Sequence, residues 1–175
     1  MKRTAILMLA VLLLAALGCG GTNESTDDPN VVFVDPNAVR GGEYGDLYFE
    51  ANGVRFGIYD EAETVLSALP AYRSTFTGET CAFDTADVYY YYAGFQILTN
   101  EIDGVSRITA IAIADDTIKT PQGLYIGMTE ADAAEAFPAL RDAGWNLTDG
   151  SAKLTVTFVD GMVTGIAYSP SISED

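Results

Sequence analysis

Beyond about residue 45 the chain is a succession of short apolar runs separated by tight polar breaks, and the breaks predict its elements. Gly53-Val54-Arg55-Phe56-Gly57-Ile58 reads as a short extended lead-in to Asp60-Glu61-Ala62-Glu63-Thr64-Val65-Leu66-Ser67-Ala68-Leu69-Pro70, a helix stopped by proline. Gly123-Leu124-Tyr125-Ile126-Gly127-Met128 leads in the same way into Thr129-Glu130-Ala131-Asp132-Ala133-Ala134-Glu135-Ala136-Phe137-Pro138. Acidic residues in each first turn suit the positive end of the helix dipole. Thr129 and Asp132 form a capping-type pair. The first helix is followed by strand-like Val88–Tyr92, a turn at Ala93-Gly94, Phe95–Thr99, a loop at Asp103-Gly104, and Val105–Ala114. The second is followed by Trp145–Thr148, a turn at Asp149-Gly150, Lys153–Phe158, a turn at Asp160-Gly161, and Met162–Tyr168. Asp-Gly between strand-like runs is a hairpin signal, and Asn52-Gly53 predicts another hairpin ahead of the first helix. Leu154, Val156 and Phe158 alternate with Thr155 and Thr157, which predicts one buried face and one wet face.

The two runs match each other as a weak internal repeat. The expected fold class is therefore α+β: two tandem helix-plus-antiparallel-meander units, forming a shared or adjacent sheet with helices on one face. The expected bounds are 46–119 for the first αβββ unit, 120–170 for the second, and 171–175 for a tail. A lone unit of about 60 residues would be marginal by surface-to-volume scaling, so the two are expected to share a core.

The N-terminal pattern differs. Met1-Lys2-Arg3 is followed by an apolar run, Ala5 to Leu17, and then by Gly18-Cys19 and an abrupt polar turn. The run is shorter than the roughly 20 residues that span a bilayer, and a cysteine stands where an ordinary secretory signal carries Ala-x-Ala. Leu17-Gly18-Cys19, with the small apolar residues before it, resembles a bacterial lipoprotein signal. That resemblance implies removal of residues 1–18 and a diacylglyceryl thioether on the Cys19 sulfur. It also implies a chain held at the cell membrane by its lipid and facing away from the cytoplasm. Residues 19–45 read as a flexible acidic tether, with Val31-Val32-Phe33-Val34 as a short strand or docking segment inside it. About 25 such residues have a root-mean-square reach near 25–30 Å.

Composition narrows the function classes. The chain carries 25 acidic and nine basic side chains, a net charge of −16. A nucleic-acid footprint needs a basic face, so nucleic acid is excluded as a partner. Histidine is absent, which removes His-based acid–base pairs and most zinc or copper sites. With Cys19 lipidated, Cys81 stands alone and reads as a small buried hydrophobe.

The tandem pattern, and Ile126-Gly127-Met128-Thr129-Glu130-Ala131-Asp132 in particular, resembles the β-lactamase-inhibitor-protein-like architecture. A single unit is similar to the small lipoproteins of the outer-membrane barrel-assembly machinery. Cys81-Ala82-Phe83, Gly94-Phe95-Gln96-Ile97-Leu98-Thr99, and Asp115 through Gly127 resemble uncharacterised lipoproteins of Gram-positive anaerobes. With the meanders, that likeness covers roughly residues 46–170. It implies a fold and a location rather than a reaction.

The remaining candidates are few. Asp115-Asp116, or Glu61 with Glu63, would be the carboxylates of a carboxylate-dependent cell-envelope enzyme, against the alternative that they are solvated turn and first-turn residues. Asp115-Asp116-Thr117 offers oxygens to Ca²⁺, yet no spaced Asp-x-Asp-x-Asp-Gly loop accompanies it. Tyr89, Tyr90, Tyr91 and Tyr92 would place two rings on each face of a strand. One pair can enter the core; the other can form a protein-binding patch. Arg107, on a neighbouring strand, would stack against them. No catalytic residue, cofactor or metal is expected. The expected function is a non-enzymatic protein-binding or scaffolding module with an envelope or extracellular protein partner; the alternatives are the carboxylate-dependent enzyme and a structural assembly factor.

Overall fold

A computed structural model describes residues 45–79 and 85–171. Cys19, the leader, the tether up to residue 44, Cys81 and the last four residues lie outside them. The elements run β1 (Phe49–Ala51), β2 (Val54–Phe56), α1 (Ala62–Ala68), β3 (Ser74–Glu79), β4 (Ala86–Tyr91), β5 (Phe95–Ile102), β6 (Val105–Ile113), α2 (Glu130–Ala136), α3 (Pro138–Asp142), β7 (Asn146–Asp149), β8 (Ala152–Val159) and β9 (Met162–Pro170). Seven strands form one antiparallel sheet in the order β3-β4-β5-β6-β9-β8-β7, and β1-β2 is a separate hairpin.

The α+β expectation of two helix-plus-meander units is overturned. The molecule is mostly β, and helix accounts for 16% of the described residues. The helices have seven, seven and five residues. Segments that short do not hold themselves together in water and persist only as packing against something larger. The sheet is the continuous element. Its two ends are also unequal, since β3 adds a strand that the alternation of apolar residues did not reveal. Pro138, expected to stop a helix, opens α3 at its first position, where its missing N–H has no helical partner to lose.

The hairpin signals correspond to real turns. Asn52-Gly53, Asp103-Gly104 and Asp160-Gly161 all have positive φ at both positions, the conformation of a two-residue type I′ hairpin. The β7–β8 turn is displaced by one residue, to Gly150-Ser151, because only Gly150 of that pair takes positive φ.

Cross-strand register fixes the two faces. One row, Thr75–Tyr90–Ile97–Ile111–Tyr168–Leu154–Leu147, crosses all seven strands. Ile97, Ile111, Leu154 and Tyr168 are fully or almost fully buried. Against this face pack Phe49 and Phe56 of the hairpin, Ala62 and Val65 of α1, Ala133 of α2 and Leu140 of α3, in one cluster. Each large aliphatic side chain so removed from water contributes about 1.5–3 kcal/mol.

Between β6 and β9 the sheet is joined by only two residue pairs, Ile111–Tyr168 and Ala112–Ala167. Beyond them the strands part, and each is met by the segment leading into a helix. Tyr59 N–H donates to Ile108 C=O (2.7 Å), and Ile108 N–H donates to Asp60 C=O (2.9 Å). Likewise Gly127 N–H donates to Val163 C=O (2.8 Å), and Val163 N–H to Met128 C=O (2.9 Å). The split therefore leaves few backbone groups unpaired.

Candidate functional site

Tyr89, Tyr90 and Tyr91 end β4 and Tyr92 follows it directly, and the run divides by face, as the two-residue period of extended chain requires. Tyr90 and Tyr92 turn toward the core. Tyr92 is 8% exposed, and its ring stacks on Phe95 at 4.7 Å with planes 2° apart. Among the described residues its buried phenol oxygen has no hydrogen-bond partner. Burial pushes the Tyr92 phenol pKa up, helped by the neighbouring Tyr72 and Tyr90 phenols. Tyr72, itself 46% exposed, covers this pair from outside, edge-on to Tyr90 at 5.2 Å and to Tyr92 at 6.4 Å.

Tyr89 and Tyr91 occupy the opposite face, where their rings stack at 6.4 Å with planes 15° apart. Phe76 of β3 is the cross-strand partner of Tyr89. Its ring lies 6.0 Å from that of Tyr89, and it is 55% exposed. The result is a strip of three aromatic rings on the face away from the helices. Toward the sheet centre the strip gives way to Leu98 and Gln96 and then to the small residues Ala110, Ala112 and Ala167.

A polar chain fixes the strip at one end. The Tyr89 hydroxyl donates to Asp87 Oδ2 (3.4 Å), Asn100 Nδ2 donates to Asp87 Oδ1 (2.5 Å), and the Thr109 hydroxyl donates to Asn100 Oδ1 (2.5 Å). Asn100 and Thr109 are buried, so their hydrogen bonds offset the cost of removing them from water. Burial first, and then the Asp87 charge and hydrogen bond, push the Tyr89 phenol up.

Arg107 does not join the tyrosines. It lies on β6, separated from β4 by the whole of β5. Its Nη1 donates to the Tyr59 carbonyl (2.9 Å), and its backbone forms an isolated bridge with Glu61. Arg107 thus ties the segment before α1 to the sheet. Among the described residues, the cations found over rings are Arg55 on Tyr48 (3.9 Å) and Lys119 on Tyr125 (4.8 Å).

The carboxylates suit structural roles. Asp115 and Asp116 are exposed, as are Glu61 and Glu63. Asp115 accepts from the hydroxyl and the backbone N–H of Thr117. These bonds hold its carboxyl below the usual range, assisted by Arg73. That is the opposite of the upward shift a general acid needs at neutral pH. Asp60, which is buried, accepts from Gly57 N–H at 3.0 Å and so shapes the turn before α1. Among the described residues no group of three or more His, Cys, Asp or Glu side chains gathers to hold a metal. Two open hollows lie on the surface, one lined by Arg55, Asp60, Glu61 and Thr64 and one by Tyr48, Glu50, Lys119 and Thr120.

Phe76 and Tyr72 were not among the expected site residues. Phe76 stands alone among Ser74, Thr75, Thr77 and Gly78, so no apolar alternation marks its strand; the faint signal is the β-branched Thr-Phe-Thr. No family model, no curated protein and no solved structure matches the chain.

Proposed function

We propose that the chain is a lipid-anchored, extracytoplasmic binding module, held to the membrane through Cys19, that engages a protein partner with the helix-free face of its sheet. The observation that carries this reading is the Phe76–Tyr89–Tyr91 strip. Three large rings stand together on a face where a purely structural sheet would carry threonine and charge. Aromatic residues, tyrosine above all, are enriched at protein interfaces, where they bury much area at small entropic cost. The polar chain through Asp87 and Asn100 holds Tyr89 in place before any partner arrives, which lowers the ordering cost of binding. The leader and the acidic tether support the location. The absence of histidine and the solvated state of the candidate carboxylates favour binding over catalysis.

One experiment addresses both halves. The full chain is expressed in a bacterium that processes lipoproteins and recovered from its membranes with bound proteins. Cys19→Ser is expected to move the chain out of the membrane fraction. Tyr89→Ala/Tyr91→Ala is expected to keep the chain in the membrane but lose a partner that the wild type retains. A Cys19→Ser chain that stays in the membrane sinks the anchoring half. Equal recovery of every bound protein by wild type and the double variant sinks the binding half.

A further inference from the structure

Strand β3 ends the sheet. Among the described residues it pairs with β4 alone, and Ser74, Thr75, Phe76 and Thr77 are exposed. An open edge presents a row of unpaired N–H and C=O groups, and proteins ordinarily blunt one with lysine, proline, a bulge or brevity. β3 reads Ser-Thr-Phe-Thr-Gly-Glu, with neither lysine nor proline. It keeps an unbroken register with β4 over all six positions, so no bulge twists it away. In a chain of net charge −16, the stretch Ser74–Gly78 is uncharged. No like charges therefore face each other along this line when two copies meet there.

We propose that β3 is a homodimer edge, pairing antiparallel with β3 of a second copy about a two-fold axis at Phe76 and doubling the sheet. The register follows from side-chain alternation and charge. A slip of one residue would set the aromatic face of one copy level with the helix face of the other, so allowed registers differ in steps of two. Centred on Phe76, the pairing sets Thr75 opposite Thr77, Ser74 opposite Gly78, and Arg73 opposite Glu79, twice by symmetry. Centred on Thr75 or Thr77 instead, both basic–acidic matches are lost, because Arg73 then faces Thr77 in the first case and Glu79 faces Thr75 in the second. Opposite charges and Thr–Thr pairs directly across a strand pair are stabilising. The two Phe76 rings would meet at the axis and join the strips of both copies into one.

A peptide from another protein could also add to this edge, but the self-complementary charge pattern belongs to a second copy. A single strand pair is a small interface, which places the dimer in the weak, transient class. The inference rests on the edge and holds whether or not the tyrosine face has a partner.

The test uses the full chain in mild detergent, by sedimentation velocity over about 1–200 µM, the range of a weak interface. Wild type is expected to pass from monomer to dimer. Arg73→Glu and Glu79→Arg are each expected to weaken the dimer roughly tenfold, and the two together to restore most of the affinity. Hydrogen exchange of the β3 amides in wild type is expected to slow as concentration rises, a readout that needs no variant to fold. A wild type that stays monomeric overturns the inference. So does a dimer indifferent to all three variants, or one whose β3 amides exchange at a rate independent of concentration. A monomeric wild type whose partner is still lost on Tyr89→Ala/Tyr91→Ala would overturn the dimer and leave the binding module standing.

Discussion

The two edges of the seven-stranded sheet are made differently. β7 is four residues long, and its surroundings tie it down. Trp145, just before it, donates its N–H to Leu140 C=O (2.9 Å) and accepts from Val156 N–H (3.0 Å). The Trp145 ring meets Phe158 edge-on at 4.6 Å. At the other end of β7, Asp149 accepts from Asp46 N–H (2.6 Å), so the incoming chain is fastened there. β3 has six residues, and its one large apolar side chain faces solvent. Both strands contribute to the same row across the sheet, yet that row ends in half-buried Leu147 on one side and exposed Thr75 on the other. The β7 edge is short and clamped, whereas β3 is longer, carries an exposed aromatic ring and, among the described residues, lacks such clamps.

The largest effect expected from disturbing this contrast is at β7. Trp145→Ala removes a half-buried ring from the core and is expected to destabilise the fold by about 2–3 kcal/mol, below the range for fully buried aromatics. Urea denaturation reads this directly. A loss under about 0.5 kcal/mol would show that the β7 edge is no better fastened than β3.

A smaller effect tests the row between the edges. Tyr168 is buried, and its hydroxyl donates to Gln122 Oε1 (3.0 Å). Burial pushes its phenol pKa well above the ordinary value of 10.0, with Tyr48 adding to the shift and a hydrogen bond with Thr120 opposing it. The folded state thus prefers the neutral phenol. The resulting stability is fully present below pH 10 and is lost as the pH rises through 10 toward the folded-state pKa, because the unfolded chain ionises first. Tyr168→Phe is expected to cost about 1 kcal/mol at neutral pH, through the lost hydrogen bond. It should also flatten part of the alkaline decline in urea midpoint, to which Tyr89 and Tyr92, also raised, contribute in the same direction. An unchanged alkaline slope in the variant would mean that Tyr168 is already accessible to hydroxide.

What the sequence discloses follows from how local each cause is. The turns at Asn52-Gly53, Asp103-Gly104 and Asp160-Gly161 were legible because positive φ at two successive positions is a demand on those residues alone. The Thr129 cap was legible for the same reason: its side chain accepts from Asp132 N–H, three residues on. β3 was not legible, since Ser74, Thr75, Phe76 and Thr77 are exposed and the strand exists by virtue of β4 beside it. The helices count for less than their spacing predicts, because apolar spacing reports which face is buried, not whether seven residues amount to a layer. The β6–β9 seam joins Ile111 to Tyr168 through no local signal at all. In the tyrosine run the period fixed which residues share a face. Which face turns inward was set by hairpin and helix packing, and the intervening β5 is what removed Arg107 from the rings.

The smallest expected effect on stability lies at β3, and it sharpens the contrast most. Phe76→Thr keeps strand propensity, since threonine is β-branched, and removes a ring that is 55% exposed. Its packing on Tyr89 is one tilted contact at 6.0 Å. The change in unfolding free energy is therefore expected to stay within about 0.5 kcal/mol, as for surface substitutions generally. The same substitution removes the central aromatic pair of the proposed dimer and the outermost ring of the proposed binding strip. Association should weaken while the urea midpoint stays put. Parallel denaturation and sedimentation of one preparation separate the two quantities. A destabilisation of about 2 kcal/mol or more would place Phe76 in the folded core's packing and remove the ground for treating β3 as an edge kept open for a partner.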